Sequence, residues 1–263
     1  MNAFRGLAVS VPGNGHIRRE IPCQDASGAW PAPRPCLIVC DGRGSARYSH
    51  FGARAAVKAF RSQCAVLDDL LDAVLDHEKR NDSRWLRFCD LMIRTVCRQK
   101  LELAEEYDCD EAEFDFTIAF AVWGKERCGF FQVGDGAIVV RGAAECCHTL
   151  FKPDKGEYDN ETRFLRPEAE FDRDYHARLI PAGDINAVAI TSDGPEFLMF
   201  DLADMMPGPI FDRMFGDCAA GGLTRQDLLD YLTRGCWSRD PRGSDDRSIA
   251  ILSRTIKKED LQC

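Results

Sequence analysis

Histidine and long apolar runs are scarce in this chain, and their scarcity excludes several classes of protein. The 5 histidines (His16, His50, His77, His148 and His176) lack HExxH-type spacing, so each is interpreted as a surface or structural residue. No apolar run approaches the roughly 18 residues that a membrane-spanning helix needs. The start, MNAFRGLAVSVPGNGH, has no charged segment followed by a long apolar one, so no signal peptide is predicted. We therefore expect a cytoplasmic protein without a membrane partner.

Positive charge and the common nucleophile and nucleotide motifs are also scarce. Lysine and arginine total 34 against 43 acidic residues, which gives a net charge of −9 and a pI near 5.1. A chain with this balance is not expected to take nucleic acid or an anionic membrane as its partner. The sequence contains no GxSxG nucleophile elbow, no P-loop and no GxGxxG run. Serine-hydrolase and nucleotide-binding chemistry are therefore disfavoured.

Cysteine, by contrast, is abundant, but its spacing does not indicate a metal site. None of the 13 cysteines forms the CxxC pair that is typical of zinc sites. Several lie in apolar runs, where a free thiol packs as a small hydrophobic group. These are Cys36, Cys40, Cys89, Cys97 and Cys128. We expect free thiols and a reducing, intracellular compartment.

The remaining pattern is a succession of strands, helices, strands, helix and strand. Apolar runs predict strands over residues 4–11, 36–40, 114–123, 128–133, 137–142, 185–194 and 248–253. Helical periodicity predicts helices from Ser45 onward and over residues 64–78, 84–106 and 224–235. PGNGH is interpreted as a turn, residues 114–142 as a meander of antiparallel strands, and residues 152–183 as loop-rich. This order predicts one α+β domain over residues 1–263, with antiparallel sheets covered by helices.

Aspartates recur where these apolar strands meet turns. A buried carboxylate is unfavourable unless it is paired or bound to a cation, and several converging carboxylates repel one another. A divalent cation removes that repulsion, and oxygen ligands without cysteine or histidine favour Mg²⁺ or Mn²⁺ over zinc. The positions are Asp25, Asp41, Asp135, Asp193 and the pair Asp245–Asp246.

Each of these aspartates also has an ordinary structural explanation. Asp-Gly is a common turn dipeptide, and aspartate frequently caps helices. The metal hypothesis depends on recurrence, because Asp41, Asp135 and Asp193 all follow an apolar strand and precede glycine. The residues by themselves therefore leave both explanations open.

Six stretches, taken in order, resemble the metal-dependent serine/threonine protein phosphatases of the protein phosphatase 2C type. They cover about residues 7–253 and read CQDA, VCDGRGSA, FTIAFAVW, FQVGDGAIVV, ITSDGPEF and SDDRSIAIL. GHIRREIPCQDA and KGEYDNETRFL are similar to signatures of a bacterial branch of that family. Each motif is short, but their order and spacing together are specific.

This resemblance implies a fold and a ligand set. The fold is a four-layer α-β-β-α sandwich, with two antiparallel sheets flanked by helices and a metal cluster at one end. By position, Asp41 would bridge two Mn²⁺ or Mg²⁺ ions and Gly42 would supply a carbonyl oxygen. Asp193 and Asp245 would complete the shell of one ion. These residues are the expected catalytic and metal-binding positions.

Further positions follow from the same resemblance. Asp135 matches a position associated with a third, weaker ion in bacterial members, and Asp25 matches the acid of the early motif. Gln24 stands beside Asp25 where many members have glutamate. A neutral glutamine would make a weaker contact to metal-bound water than a glutamate would. Arg18 and Arg19 are both candidates for binding the substrate phosphate, although the local spacing differs from the family form.

Two departures from the family pattern concern the chemistry directly. The last motif has Asp245–Asp246 where Asp-Asn is usual, and the alignment favours Asp245 as the ligand. Arg43 stands where some members carry a histidine proposed as general acid. The proton for the leaving group would then come from metal-bound water or from another group.

The resemblance implies hydrolysis of phosphoserine or phosphothreonine in proteins, by in-line attack of a hydroxide that bridges two metal ions. Its partners would be a phosphoprotein substrate and a cognate serine/threonine kinase or the targets of that kinase. One alternative is a non-catalytic pseudophosphatase that binds a phosphoprotein or a kinase, which Gln24, Arg43 and the Asp-Asp variant favour. Another is a hydrolase of small phosphate esters, because nothing in the sequence identifies the substrate.

Overall fold

Two five-stranded antiparallel sheets form the centre of the protein in the computed structural model, which describes residues 4–143, 146–151, 163–165, 175–234 and 244–255. In spatial order, the first sheet contains β1 (Phe4–Val11), β12 (Arg247–Arg254), β9 (Ile185–Thr191), β6 (Ala137–Gly142) and β7 (Cys147–Thr149). The second contains β2 (Ala26–Trp30), β3 (Cys36–Gly42), β4 (Phe116–Trp123), β5 (Arg127–Val133) and β8 (His176–Pro181). A short pair, β10 (Phe200–Asp201) and β11 (Met206–Pro207), lies apart from both.

Helices cover the outer face of each sheet. The helices are α1 (Asn14–Arg19), α2 (Ser49–Val66), α3 (Asp68–Leu75), α4 (Asp82–Tyr107), α5 (Glu196–Met199), α6 (Ile210–Ala220) and α7 (Arg225–Thr233). Helices α2, α3 and α4 pack on the second sheet, and α6 and α7 pack on the first. This arrangement confirms the expected four-layer sandwich.

The position of β3 explains its continuous apolar sequence. Successive side chains of a strand point to opposite faces of the sheet. Cys36, Ile38 and Cys40 pack against the helices on one face, whereas Leu37 and Val39 pack against the first sheet. Both faces of this strand are therefore buried, and the apolar run has no polar alternation.

The turn prediction for PGNGH was wrong, because α1 begins within it at Asn14. So short a helix is not stable by its own propensity. His16 is buried, however, and its ring Nδ1 lies 2.8 Å from a carboxylate oxygen of Asp246. A contact between residues 230 positions apart therefore stabilises this turn of helix.

Two predicted helix boundaries were also wrong. Helix α2 begins at Ser49 rather than at Ser45, because the backbone N–H of Tyr48 is bonded to the Glu113 carbonyl and holds the preceding segment as a loop. The helix predicted over residues 64–78 is divided at Leu67, where α2 ends and α3 begins. Strand 36–40 extends to Gly42, and strand 185–194 ends at Thr191, so Asp193 lies beyond it.

The predicted meander over residues 114–142 was wrong at its last strand. β4 and β5 pair as expected, but β5 then pairs with β8, and β6 belongs to the other sheet beside β9. Gly134 has a φ of 97°, a left-handed conformation that favours glycine, and it begins the crossing between the sheets. The chain therefore changes layers within the short GDG segment.

Besides α1, further elements were not predicted: β2, β8, α6 and the short pair β10 and β11. β8 lies in the segment that was interpreted as loop-rich, and it completes an edge of the second sheet. The rest of that segment, residues 152–162 and 166–174, lies outside the described residues, as does most of KGEYDNETRFL.

The five cysteines that were predicted to pack as hydrophobic groups are all buried, and none of the five forms a disulfide. Separately, no helix in the described part of the chain is both long and apolar enough to cross a lipid bilayer.

Candidate functional site

The predicted aspartates meet at one end of the sandwich. Asp41 is the next-to-last residue of β3, and Asp193 follows the end of β9 by two residues. Asp245 precedes β12 by two residues, and Asp25 directly precedes β2. Asp135 lies in the crossing between β5 and β6. Because neighbouring strands are antiparallel, the end of one strand lies beside the start of the next, and these positions share one end of the sandwich. We call Asp25, Asp41, Asp135, Asp193 and Asp245 the aspartate cluster.

The environment of Asp41 strongly disfavours its charged form. Burial raises the pKa of the Asp41 carboxyl well above its ordinary value, and the negative charges of Asp25, Asp193 and Asp245 raise it further. A hydrogen bond shared with Asp193 adds to this effect. Four carboxyls of the cluster therefore act on one another at short range.

Asp135, the remaining member of the cluster, interacts electrostatically with Asp193. Burial raises the pKa of Asp193 to about 7, and the charges of Asp135 and Asp245 contribute next. Glu196, on the first turn of α5, also raises this pKa. Sequence reasoning missed Glu196, although its position three residues after Asp193 was a visible signal.

Asp25 is the most deeply buried member, with 3% of its surface exposed. Burial raises the pKa of its carboxyl well above the ordinary value, and the charge of Asp246 adds to the shift. The hydroxyls of Ser192 and Ser248 offset part of this effect. Within the described residues neither carboxylate oxygen has a full hydrogen-bond partner, and the same is true of one oxygen of Asp193. These oxygens are available to a ligand.

These residues fit a hard divalent cation. The donors are carboxylate oxygens, several are unpartnered, and their mutual repulsion would be relieved by positive charge. At Gly42 an added β-carbon would lie 2.5 Å from the Gln24 carbonyl oxygen, so glycine permits this close backbone packing. Within the described ranges, no three His, Cys, Asp or Glu side chains form a ready-made cage. Mg²⁺ commonly takes only one or two carboxylates and keeps several waters, so it does not require such a cage.

Asp245 and Asp246 differ in their surroundings, although they are adjacent. Asp246 is buried and accepts hydrogen bonds from the backbone N–H of Gly13 at 2.7 Å and of Gln24 at 2.6 Å, besides its contact with His16. Asp245 is exposed, and its charge raises the pKa of Asp41 and Asp193. The oxygens of Asp246 are occupied by the 13–24 segment, whereas one Asp245 oxygen accepts a hydrogen bond from the backbone N–H of Asp246 at 2.8 Å and the charge of Asp245 acts on the cluster.

This difference yields a prediction for the two asparagine variants. Asp246→Asn removes an acceptor from a buried backbone N–H, so the free energy of unfolding should fall by about 1–3 kcal/mol. Asp245→Asn should leave the free energy of unfolding nearly unchanged and weaken Mn²⁺ binding. Urea denaturation and calorimetric Mn²⁺ titration of each variant measure the two effects. The reverse pattern, with Asp245→Asn destabilising and Asp246→Asn weakening metal binding alone, would contradict the assignment.

Two serines join the strand ends that carry Asp193 and Asp245. The backbone N–H of Ser248 donates to the hydroxyl of Ser192 at 2.9 Å, and the N–H of Ser192 donates to the Ser248 carbonyl at 3.2 Å. Both serines are buried. Sequence reasoning did not identify either residue, because serine at a strand end has many ordinary roles.

Gln24 is fixed by the loop that follows Asp41. Its side-chain amide donates to the Ala46 carbonyl at 2.8 Å, and its side-chain oxygen is buried without a hydrogen-bond partner in the described residues. That oxygen is a neutral acceptor where the family pattern often has a carboxylate. It could accept a hydrogen bond from a water molecule beside the cluster.

Arg18 and Arg19 lie on α1 and are exposed. The guanidinium Nε of Arg19 donates to the Gly15 carbonyl of the same helix at 3.1 Å. In the portion of the chain that the structure describes, neither arginine has a carboxylate within 4.0 Å. Helix α1 is held close to Asp245 through the contact of His16 with Asp246. The structure shows no direct contact between either arginine and the aspartate cluster.

Arg43 is restrained by a buried ion pair that the sequence did not indicate. Lys100, from α4, contacts Asp115 at 2.6 Å, and both side chains are almost completely buried. Arg43 lies 3.6 Å from the other Asp115 oxygen, bonds to the Ser45 hydroxyl, and lies over the ring of Phe164. Because Lys100 already neutralises Asp115, the group of three carries a net positive charge beside Asp41–Gly42.

The raised pKa values predict how the stability of the metal-free protein depends on pH. The unfolded chain ionises these carboxyls near pH 4, whereas folded Asp193 keeps its proton until about pH 7. The folded state binds more protons in this interval, so the free energy of unfolding should fall as pH rises through it. Urea denaturation between about pH 5 and pH 8 should show a smaller fall for Asp193→Asn than for the wild type. Equal slopes for the two proteins would contradict this prediction.

The similarity to known proteins extends over nearly the whole chain. A family model described as Protein phosphatase 2C matches residues 12–233. Serine/threonine-protein phosphatase 3 of Escherichia coli (strain K12) is 28% identical over 266 residues, covering 95% of this chain and 98% of that protein.

Solved structures share the same fold. One is the catalytic domain of the serine/threonine protein phosphatase PstP in complex with 2 manganese ions, with a TM-score of 0.63, 16% identity, and coverage of 97% of this chain and 100% of that chain. The serine/threonine phosphatase PstP/Ppp of Mycobacterium tuberculosis has a TM-score of 0.61, 18% identity and the same coverage. Stp1 from Staphylococcus aureus has a TM-score of 0.61, 14% identity, and coverage of 98% and 96%. At these identities the structures show the fold alone.

Proposed function

Because this chain belongs to the protein phosphatase 2C family of metal-dependent serine/threonine protein phosphatases, we propose that it removes phosphate from phosphoserine and phosphothreonine in proteins at the aspartate cluster. The observation that carries the proposal is the meeting of five strand-end aspartates at one end of the sandwich, two of which, Asp25 and Asp193, have unpartnered oxygens in the described residues. We also propose that residues 1–263 form a single catalytic domain.

The proposed metal ligands are the carboxylates of Asp41, Asp193 and Asp245 and the backbone carbonyl of Gly42. Asp135 and Asp25 are proposed to serve a third ion and the water around the ions. When bound, Mn²⁺ or Mg²⁺ would supply a nucleophilic water at neutral pH and neutralise charge on the phosphoryl oxygens. The rigid ends of β3 and β9 would hold the carboxylates in place, which limits reorganisation during the reaction.

Three arginines are proposed to bind the substrate phosphoryl group. Arg18 and Arg19 are exposed on α1 and free of carboxylate partners in the described residues. Arg43 is close to Asp41 in sequence and is restrained by Asp115, Ser45 and Phe164. A guanidinium can bind two phosphoryl oxygens at once. Protonation of the leaving group is proposed to come from water rather than from Arg43, because a guanidinium does not lose its proton in proteins.

The proposed partners are a phosphoprotein substrate and a cognate serine/threonine kinase or its targets. Phosphatase activity implies a phosphoprotein substrate. The kinase is inferred because a separate enzyme has to produce the phosphoserine or phosphothreonine that is hydrolysed. The two alternatives from the sequence, a pseudophosphatase and a small-ester hydrolase, have no observation in the structure that favours them.

The test is hydrolysis of p-nitrophenyl phosphate and of a phosphothreonine peptide with Mn²⁺, with Mg²⁺ and after chelation. We expect turnover of both substrates with either ion and loss of turnover after chelation. A folded protein that hydrolyses neither substrate would refute the enzymatic proposal and favour the pseudophosphatase. Turnover of the small ester without the peptide would favour the small-ester hydrolase.

A further inference from the structure

A cavity of about 370 Å³ lies beside the aspartate cluster. Its floor is formed by β1 and β2, the edge strands of the two sheets, which meet along a seam. Helix α2 and the first residue of α7 form its walls. Asp25 lines this cavity and also acts electrostatically on Asp41, so the cavity adjoins the proposed catalytic site.

Three cationic side chains from separate elements line the cavity. Arg54 and Lys58 are four residues apart on α2 and so lie on one face of that helix, and Arg225 begins α7. All three residues are exposed. In the described part of the chain none of them has a carboxylate within 4.0 Å, whereas Arg34 and Lys100 each do. This convergence is notable in a chain whose net charge is −9.

The remaining polar groups of the cavity indicate which ligand it could take. The hydroxyls of Ser10 and Ser27 are 2.9 Å apart, and the Ser248 hydroxyl donates to Ser10 at 2.6 Å. These hydroxyls are engaged with one another, and the Cys23 thiol donates to the Asp25 carbonyl at 3.7 Å. The Asp25 carboxyl, unpartnered in the described residues, is almost completely buried within the aspartate cluster. The cations therefore provide the available binding groups, so an anionic ligand is favoured over a neutral one.

We propose that the cavity binds an acidic group of the substrate polypeptide, either a carboxylate side chain or a second phosphate, next to the phosphorylated residue that is hydrolysed. This inference rests on the proposed phosphatase function and adds a substrate class to it. The acidic surface of the protein would repel an acidic segment elsewhere, and the three cations offset that repulsion beside the site. An anion attached to the substrate is also presented at a high effective concentration once the phosphoryl group is bound.

The test compares phosphothreonine peptides of equal length with neutral flanks, with glutamates on the N-terminal or C-terminal side, or with a second phosphoserine. Relative to the neutral peptide, the wild type should show a kcat/KM about tenfold higher for at least one of the acidic peptides, mostly through a lower KM. The expected effect is modest because each charge contact at an exposed site contributes little free energy. In Arg54→Ala/Lys58→Ala/Arg225→Ala, this preference should disappear. Turnover of the neutral peptide and of p-nitrophenyl phosphate should be unchanged.

The matched control is Arg98→Ala, which removes an exposed charge from α4 outside the cavity. It should retain the preference for acidic peptides. A wild type without that preference, or a triple variant that retains it, would overturn the proposal. Loss of inhibition by inorganic phosphate in the triple variant, with the peptide preference intact, would indicate a free-phosphate site and would also overturn it.

A peptide-binding assay tests this inference independently of the proposed phosphatase function. Fluorescence anisotropy with Asp41→Asn, with and without the three cavity substitutions, measures affinity for acidic and neutral phosphopeptides without turnover. Tighter binding of the acidic peptides that is lost with the cavity substitutions supports the inference even if the wild type proves inactive. Equal binding of all peptides would overturn the inference even if the wild type hydrolyses them.

Discussion

Asp41→Asn is expected to reduce phosphatase activity by roughly a thousandfold or more, since losing about 4 kcal/mol of transition-state stabilisation has that effect. The reason is that Asp41 interacts with Asp25, Asp193 and Asp245 and is delivered by a strand buried on both faces. Asparagine has nearly the same shape but cannot neutralise a cation. Mn²⁺ affinity should fall with activity, measured by calorimetry beside steady-state kinetics.

The same substitution should not unfold the protein. It removes a half-buried carboxyl that is repelled by its neighbours, so the metal-free variant should be at least as stable as the wild type in urea. Asp69→Asn, at an exposed position of α3, is the matched control and should keep full activity. Activity of Asp41→Asn close to that of the wild type would show that the aspartate cluster is not the catalytic site.

Lys100→Met is expected to lower the free energy of unfolding by about 3 kcal/mol, because a buried charge would lose its nearest partner. Asp115 is completely buried, and the guanidinium of Arg43 lies farther from its carboxylate, at 3.6 Å. The double variant Lys100→Met/Asp115→Asn removes both charges of the pair and should recover part of the loss. Urea denaturation at neutral pH measures all three proteins.

An exposed ion pair supplies the comparison for this prediction. Arg94 pairs with Asp90 on the outer face of the same helix, and Arg94→Met should change stability little because water already solvates both groups. If Lys100→Met were as mild as Arg94→Met, the buried pair would not be a stabilising interaction. Activity of the double variant is a second measurement, because Arg43 would lose the carboxylate that restrains it.

The strand-end positions of the aspartates could be predicted because local pattern determines them, whereas their role as metal ligands stays a prediction. An apolar strand that ends in Asp-Gly places its carboxylate at a strand end whatever the rest of the fold, and Asp41 lies at such an end. The choice between Asp245 and Asp246 was different. The contacts of Asp246 with Gly13, His16 and Gln24, more than 200 residues earlier, and the exposure of Asp245 distinguish the two.

The errors in the fold prediction share one physical cause. Helix α1 depends on the contact of His16 with Asp246, and β6 leaves the expected meander to pair with β9 in the other sheet. Both outcomes depend on partners that are distant in sequence, which propensity and periodicity do not describe. The pair of Lys100 and Asp115 belongs to the same class, because neither residue carries a local signal of burial.

The amino-acid sequence by itself determined the alternation of strands and helices, the apolar character of β3, and the strand-end positions of the aspartates. These properties follow from residue type and short spacing, which act within a few residues along the chain. Only the tertiary structure decided which strands share a sheet, that Asp246 anchors α1, and that Arg54, Lys58 and Arg225 surround one cavity. Burial and charge at those places result from elements that meet in space, and the energy of an aspartate depends on what surrounds it after folding.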